Sequence, residues 1–295
     1  MNPKSGVEAI QLAIEHGKFR NKIDAARLNN LRVSSFPFCA TKWWFSLPLA
    51  TNKTREGSFM GDFYTTIGTA IHTNIQRSAT AMPYTIQDWR CSCGKVHEFC
   101  LKPKRCSCGQ TEFFKDEEHE IRRGVIVGHI DNSFLLEDKT IDIVDYKSTT
   151  VRSLESKDAL PHLENVRQIE AYCGIKIKDG FNISGWTLDY ITRNSAQHKY
   201  VTSTQFYGHS LRQELPAINS RVSQYVKDYK LVSRLTTVEE LKEVLRRRRL
   251  QLSKPDTENL CNYCLYKSVC TQPNRDVLAH AKRVFQLVKI PVINE

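Results

Sequence analysis

Long apolar runs, internal repeats and low-complexity tracts are missing from this chain of 295 residues. No stretch approaches the roughly 20 uncharged apolar residues that a membrane-spanning helix needs, and residues 1–22 scatter charges where a signal peptide has an apolar run. We therefore expect no membrane partner and no secretion. Acidic residues are also in short supply, with 32 Asp and Glu against 43 Lys and Arg. The resulting net charge of +11 favours a polyanionic partner.

Cysteine, by contrast, is plentiful, with 10 residues. A disulfide framework is not expected in a chain that is not secreted, so metal binding is the leading explanation. Two groups stand out along the sequence, and two further cysteines, Cys39 and Cys173, are isolated. The first group is Cys91, Cys93, Cys100, Cys106 and Cys108; the second is Cys261, Cys264 and Cys270. This layout predicts two metal centres of different architecture.

Apolar periodicity predicts helices on both sides of a β-rich centre. Short helices are expected in the first thirty residues, and Ser34 or Ser35 is expected to cap a helix that runs through Cys39. The further predicted helices are Asp62 to about Ala79, Leu163 to near Gly174, Leu211 to Val232, and Val238 to Leu250, the last with four arginines at Arg246–Arg249.

Segments rich in Val and Ile predict the strands. Ile121–Asp131 and Thr140–Tyr146 are expected to pair as a hairpin or as adjacent strands around the polar turn Glu137–Lys139. Ile183–Thr192 and Lys199–Phe206 are expected to form a second hairpin. The order of elements indicates a mixed α/β fold.

An acidic constellation lies on the first two of these strands. Side chains alternate faces along a strand, so Asp145 and Lys147 are expected to point the same way. If Asp131 ends the neighbouring strand, its carboxylate meets that of Asp145, and the pair can hold Mg²⁺ or Mn²⁺ through oxygen ligands. Lys147 would then offset the charge that develops at a phosphate. By itself an Asp-x-Lys triplet is also common as an ordinary exposed pair.

Two further motifs flank this constellation. Gly68-Thr69-Ala70-Ile71-His72 lies on the predicted helix before the strands, and Gln168-Ile169-Glu170-Ala171-Tyr172 lies on the helix after them. The set resembles the PD-(D/E)XK nuclease superfamily, in particular its RecB-like branch. The resemblance implies a restriction-endonuclease-like core, a mixed central sheet flanked by helices. It also implies metal ligands His72, Asp131, Asp145 and the Tyr146 carbonyl, a catalytic Lys147, and supporting roles for Gln168 and Tyr172.

The second cysteine group supplies three thiolates, and the lone Cys39 is a suitably placed fourth. The pattern resembles the iron–sulfur RecB-like nucleases, most closely the CRISPR-associated exonucleases of the fourth Cas family. That resemblance implies a 4Fe-4S cluster on Cys39, Cys261, Cys264 and Cys270, which would join the N- and C-terminal helical regions. A structural zinc site on the same cysteines is the alternative, because spacing alone does not separate iron from zinc.

The first cysteine group contains two similar knuckles, Cys91-Ser92-Cys93-Gly94 and Cys106-Ser107-Cys108-Gly109. Two pairs of thiolates on tight turns can form a Cys₄ zinc site, so we expect an inserted zinc-ribbon-like module with ligands Cys91, Cys93, Cys106 and Cys108. Cys100 or His97 is an alternative ligand. Basic residues (Lys95, Lys102, Lys104 and Arg105) leave open whether the module contacts DNA or a partner protein.

Four regions follow from these patterns: N-terminal helices (1–83), the zinc-binding insertion (84–118), the nuclease core (119–209), and C-terminal helices with the cysteine group (210–295). The resemblance implies a Mg²⁺- or Mn²⁺-dependent exonuclease that acts 5′ to 3′ on single-stranded DNA, in recombination, replication or CRISPR adaptation. It also implies a cytoplasmic location, in the host if the chain is virus-encoded. The rivals are a DNA-binding assembly subunit with a vestigial site and an iron–sulfur redox protein.

Overall fold

The computed structural model describes residues 31–35, 59–79, 81–115, 119–151, 154, 160–192, 203–208, 211–233, 240 and 243–244. Within them the chain forms an α/β fold in which mixed β-sheets are flanked by helices, as the order of predicted elements indicated. No helix of the described ranges is long and apolar enough to cross a membrane.

The strands are β1 (Leu31–Arg32), β2 (Thr85–Cys91), β3 (Val96–Cys100), β4 (Phe113–Lys115), β5 (His119–Arg123), β6 (Ile126–Ile130), β7 (Asn132–Leu135), β8 (Ile141–Thr149), β9 (Ile183–Thr192) and β10 (Ser203–Gly208). The helices are α1 (Phe59–Ala79), α2 (Leu163–Lys178) and α3 (Leu211–Ser233), with a 3₁₀ turn at Val33–Ser35. The sequence therefore predicted α1, α3 and β9 to within a few residues.

The larger sheet has the strand order β10-β9-β8-β7-β2-β3, with β4 paired to β2. Strands β8 and β9 are parallel, and α2 lies between them in sequence. The β7–β8 pair is antiparallel and turns at the predicted polar segment, where Leu136 N donates to Thr140 O at 2.8 Å. Thr85 and Ile86 of β2 pair with β7, so the first strand of the cysteine-rich segment belongs to this sheet.

The smaller sheet has the order β1-β6-β5. The sequence pattern predicted a single strand at Ile121–Asp131. The structure instead places most of this segment in two antiparallel strands, β5 and β6, which form the smaller sheet with β1. The chain reverses at Gly124, whose φ of 58° is a conformation that favours glycine because it lacks a Cβ. The partner of β8 is therefore β7, and Asp131 lies at the bend between the two sheets.

Helix α2 continues four residues beyond Gly174, which was expected to end it. Gly174 instead allows close contact with α3, since a Cβ there would lie 2.9 Å from the Ile218 side chain. The helix stops at Asp179 and Gly180, and Gly180 has a φ of 95°. The two amides cap the last turn by donating to Ile175 O and Ile177 O, which is a common use of glycine at a helix end.

Strand β8 is covered on both faces. Ile141 and Ile143 belong to the main apolar core, together with Ile169 of α2. Val144 and Tyr146 pack with Ile71 and Ile75 of α1 on the opposite face. Because side chains alternate along β8, Asp145 and Lys147 share the face that α2 covers. Residues from both flanking helices thus approach the same strand.

The cysteine knuckles form a small lobe around β2, β3 and β4. Its core consists of Trp89, Cys91, Cys106 and Phe113, all at most 5% exposed. The indole of Trp89 donates a hydrogen bond to Cys100 O at 3.1 Å. The lobe is therefore built on the same strand, β2, that pairs with β7 in the main sheet.

Candidate active site and metal centre

The first group of site residues surrounds Asp131. Its Oδ2 accepts a hydrogen bond from the Tyr146 amide at 2.8 Å and lies 3.5 Å from His72 Nδ1. Its Oδ1 accepts a bond from Gln76 Nε2 at 3.1 Å. Strand β8 thus contacts Oδ2, helix α1 contacts both oxygens, and the ring of Tyr146 lies edge-on to His72 with centroids 6.2 Å apart.

Close packing sets the distance between α1 and β8. A Cβ on Gly68 would lie 2.6 Å from Ser148 Oγ, so a larger side chain would require a shift. His72 and Gln76 lie one and two turns after Gly68 on the same helical face. The glycine of the Gly-x-x-x-His motif therefore brings the face that carries both residues close to β8.

The second group lies on the α2 side of β8. Lys147 Nζ is 2.6 Å from Asp145 Oδ2 and donates to Gln168 Oε1 at 3.4 Å. Gln168 Nε2 lies 3.5 Å from Asp145 Oδ1 and 3.2 Å from Tyr172 Oη. The predicted pairs Asp145/Lys147 and Gln168/Tyr172 are thus brought together in one network.

Burial sets the protonation state of Tyr172 in this second group. Tyr172 is 3% exposed, and its burial, together with the charges of Asp145 and Asp131, raises the pKa of its phenol well above the usual value. The phenol is therefore protonated at neutral pH. Asp145 is equally buried, and the nearby ammonium of Lys147 compensates its charge.

The two groups are adjacent but do not form one closed ligand set in this side-chain arrangement. Asp131 contacts the amide of Tyr146, the residue that follows Asp145, while Asp145 itself faces α2. Carboxylate and carbonyl oxygens with an imidazole form a donor set that suits Mg²⁺ or Mn²⁺. His72, Asp131, Asp145 and the Tyr146 carbonyl therefore fit such an ion chemically.

Two polar residues of this region were missed by the sequence analysis. Gln76, only 6% exposed, donates to Asp131. Asn132, 4% exposed, donates through Nδ2 to Tyr146 Oη at 3.1 Å. The spacing of four residues between His72 and Gln76 was the available signal for Gln76. No comparable signal marked Asn132, because its partner is set by the pairing of β7 with β8.

The four predicted knuckle cysteines do converge. Among the described residues they are the one group of three or more His, Cys, Asp or Glu side chains close enough to share a metal ion, with all four sulfur atoms within 4.8 Å of one another. Cys91 Sγ lies 3.6 Å from Cys108 Sγ, and Cys93 Sγ lies 3.9 Å from Cys106 Sγ. The four cysteines can therefore bind a metal ion.

The knuckles share one backbone design. Gly94 N donates to Cys91 O, and Gly109 N donates to Cys106 O, at 2.8 and 2.9 Å. Both glycines have φ near 90°, which allows the tight turn. The Cys108 amide and the His97 side chain lower the pKa of Cys106 to about 5, which favours its thiolate form. Although the Gln110 amide acts in the opposite direction, the neighbouring thiols and burial raise the pKa of Cys108 to about 12. The Cys100 sulfur is directed instead to His97 O, at 3.6 Å.

Other predicted residues lie outside the described part of the chain. These are Cys39, Cys261, Cys264 and Cys270, the proposed iron–sulfur ligands, and Arg246–Arg249. The helices expected in the first thirty residues and through Cys39 also lie outside it, and only isolated residues of the helix expected at Val238–Leu250 are described.

Comparison with known proteins gives little to add to the geometry. No protein-family model and no curated protein matches the chain. A solved structure described as "Crystal structure of SSO0001" matches 88% of this chain and 93% of its own, with a TM-score of 0.42 and 12% sequence identity. This likeness is too distant to support a function.

Proposed function

We propose that the protein is a Mg²⁺- or Mn²⁺-dependent deoxyribonuclease with a restriction-endonuclease-like core. One observation carries the proposal: the Asp131 carboxylate contacts β8 at Tyr146, the residue between Asp145 and Lys147. Asp131 is held by the Tyr146 amide, and the flanking Asp145 and Lys147 are paired at 2.6 Å. Metal-dependent hydrolysis of a phosphodiester uses this combination of hard oxygen ligands and a fixed positive charge.

In this proposal His72, Asp131, Asp145 and the Tyr146 carbonyl hold the divalent cation. Once bound, the cation supplies Lewis-acid chemistry and lowers the pKa of a bound water. Since Asp145 is already paired with Lys147, a cation would compete with the ammonium for this carboxylate. The freed Lys147 would then face the charge that develops on the phosphate.

Gln168 and Tyr172 act in the proposal as supports for Lys147. Gln168 accepts from the ammonium through Oε1 and directs Nε2 toward Tyr172 Oη. These contacts restrict the lysine when it leaves Asp145. Restricting a catalytic group to a productive position removes an entropic part of the barrier.

The substrate and cofactors follow from the family resemblance. We propose single-stranded DNA as the preferred substrate, with 5′ to 3′ exonuclease action in end processing, recombination, replication or CRISPR adaptation. The net charge of +11 suits a polyanion. We also propose Zn²⁺ on the four knuckle cysteines and a 4Fe-4S cluster on Cys39, Cys261, Cys264 and Cys270. Iron and sulfide analysis of anaerobically purified protein tests for the cluster. A colourless protein that contains only zinc would rule the cluster out.

The nuclease proposal is tested with DNA labelled at either end, single- or double-stranded, in Mg²⁺ or Mn²⁺. Lys147→Ala should lower the cleavage rate by about 100-fold or more, the usual loss when one charge-stabilising donor is removed. Lys178→Ala is the matched control, because Lys178 is exposed on the same helix as Gln168. Equal cleavage by wild type and Lys147→Ala, or no cleavage by wild type, would refute the proposal.

A DNA-binding assembly subunit without nuclease activity is the second candidate. It is favoured by the separation of Asp131 and Asp145 into two groups, since an active site must bring its ligands to one ion. Wild-type protein that binds single-stranded DNA but leaves it intact with either metal would support this candidate instead.

A further inference from the structure

Gln76 is a buried polar residue that the nuclease motifs do not include. It lies on α1, four residues after His72, so both side chains project from the same helical face. The residue is only 6% exposed. A buried amide group is costly unless hydrogen bonds satisfy it. Its Nε2 donates to Asp131 Oδ1 at 3.1 Å.

Asp131 needs such a partner because its backbone is not part of a strand. It forms the bend between β6 and β7, which belong to different sheets. No strand pairing fixes its side chain, whereas Asp145 lies inside β8. The orientation of the Asp131 carboxylate therefore depends on groups that contact its oxygens.

Those contacts come from two elements, β8 and α1. Oδ2 is held by the Tyr146 amide of β8 and lies near His72, while Oδ1 is held by Gln76 of α1. Two bonds from different directions fix the plane of a carboxylate, and a single bond leaves it free to rotate. A neutral amide also leaves the negative charge on Asp131, whereas a cation at this position would compete with a metal ion.

We propose that Gln76 is a positioning residue that orients Asp131 toward a divalent cation. This inference rests on the proposed function, because it assigns Asp131 as a metal ligand. Hydrogen bonds to metal-binding carboxylates fix their direction, and their removal typically weakens metal binding by roughly 10- to 100-fold.

The test measures the Mn²⁺ affinity of the 295-residue chain by electron paramagnetic resonance of the free ion, after the protein has been loaded with Zn²⁺ and then dialysed free of excess Zn²⁺, which would compete with Mn²⁺. Gln76→Met keeps the length and flexibility of the side chain but removes the donor. We expect its Mn²⁺ dissociation constant to rise about tenfold or more. Asn74→Ala, an exposed change on the same helix, should bind as wild type does. Mn²⁺ binding that is lost in the Asp131→Asn variant is assigned to this site.

Gln76→Asn supplies a second variant in case the Gln76→Met protein does not fold. It keeps a side-chain amide but is one methylene shorter, so its donor falls short of Asp131 Oδ1. We again expect the Mn²⁺ dissociation constant to rise about tenfold or more. A thermal melt of the Mn²⁺-free protein separates positioning from a structural role, because the loss of Mn²⁺ affinity should occur without an equal loss of stability.

The outcomes separate the two proposals. If wild type binds Mn²⁺ through Asp131 and cleaves DNA, but Gln76→Met binds within about twofold of wild type, only the role of Gln76 is refuted. Wild-type Mn²⁺ affinity in Gln76→Asn refutes it as well. If wild type shows no Mn²⁺ binding that depends on Asp131, the proposed function fails together with this inference.

Discussion

Gly128 lies on β6 beside Tyr172 of α2. A Cβ at this position would be 2.6 Å from the ring of Tyr172 and 2.9 Å from the side chain of Val33. Both neighbours are buried, at 3% and 0% exposure, so neither can move aside into solvent. The absence of a side chain at Gly128 is therefore what allows Tyr172 to lie beside the site.

Gly128→Ala should be destabilising by about 1–3 kcal/mol, the usual cost of overpacking a core. It should also displace Tyr172 and so weaken any activity that depends on Gln168. Urea unfolding followed by circular dichroism measures the first effect. The neighbouring exposed position offers the control, because His129→Ala removes no core contact; a Gly128→Ala protein as stable as this control would contradict the packing argument.

Contacts between residues close in sequence were predictable at this scale. Alternation along a strand places Asp145 beside Lys147, and the helical repeat places Gln168 beside Tyr172. The position of the Asp131 carboxylate relative to β8 could be predicted only on the assumption that Asp131 ends a strand next to β8, because it depends on how the two sheets meet. The same helical repeat could have predicted that Gln76 lies beside His72. Its burial could not be predicted, because a polar residue on a helix is usually exposed to solvent.

Strand β2 joins two parts of the molecule at the scale of elements. Its first residues, Thr85 and Ile86, pair with β7 of the main sheet, and its last residue, Cys91, belongs to the cysteine cluster. The Cys- and Lys-rich composition of residues 84–118 suggested a separate insertion. It did not reveal the pairing with β7, because β2 is short and four of its first six residues are polar or charged.

Substitution of one of the four cluster cysteines should prevent stoichiometric metal binding. In Cys108→Ser the site loses one of four thiolates, and we expect tightly bound zinc to fall well below the wild-type content after dialysis, with lower thermal stability of the lobe. Metal analysis and a thermal melt provide the readouts.

Cys100→Ser is the matched control for this experiment, because the Cys100 sulfur contacts a backbone carbonyl outside the cluster. It should retain the wild-type metal content. Loss of metal in this variant, with retention in Cys108→Ser, would show that the ligand set is different from the one that the geometry indicates.

A buried polar junction connects the lobe to the rest of the molecule. Asp88 Oδ1 accepts bonds from His119 Nδ1 at 2.6 Å and from Phe99 N at 2.7 Å. Phe99 has a φ of 43°, a strained conformation for a bulky residue. Lys176 of α2 lies over the Phe99 ring at 4.2 Å. Asp88 therefore holds together β2, β3 and β5 at one point.

Asp88→Asn should reduce the free energy of unfolding by about 1–3 kcal/mol, because His119 Nδ1 and Phe99 N both lose a charged acceptor in a buried position. Chemical denaturation measures the change. Glu112→Gln, an exposed substitution in the same lobe, should have little effect; equal stability of the two variants would argue against the junction.

The same junction predicts a dependence of stability on pH. Burial alone would raise the pKa of Asp88, but the bonds from His119 and Phe99 outweigh it and leave the pKa below 3.8. A lowered pKa means that the unfolded chain binds the proton first as the pH falls. The contribution of Asp88 is therefore complete above this pH and is lost below it.

Melting curves of wild type and Asp88→Asn across this range measure the effect. Their difference in stability should be largest near neutral pH and should shrink as the pH falls below about 3.8. A difference that stays constant down to low pH would mean that the charge of Asp88 is not what stabilises the junction.

The order of strands in the whole molecule was beyond what the sequence could predict. Local patterns identified β8, β9 and α2, whose periodicity is strong. The division of Ile121–Asp131 into β5 and β6 depended on one glycine, and the assignment of each hairpin to a sheet depended on contacts between distant residues. The α/β class followed from the order of elements, whereas the position of Asp131 between sheets required the structure.

Strand β2 also limits how the molecule could be divided by design or by evolution. Removal of 84–118 as a block would delete a strand from the larger sheet and expose the edge of β7. An excision that begins after Trp89 would leave that edge covered. The exchangeable part of this protein is therefore shorter than its cysteine-rich composition suggests, and a functional relative without the knuckles would still need a strand in the place of β2.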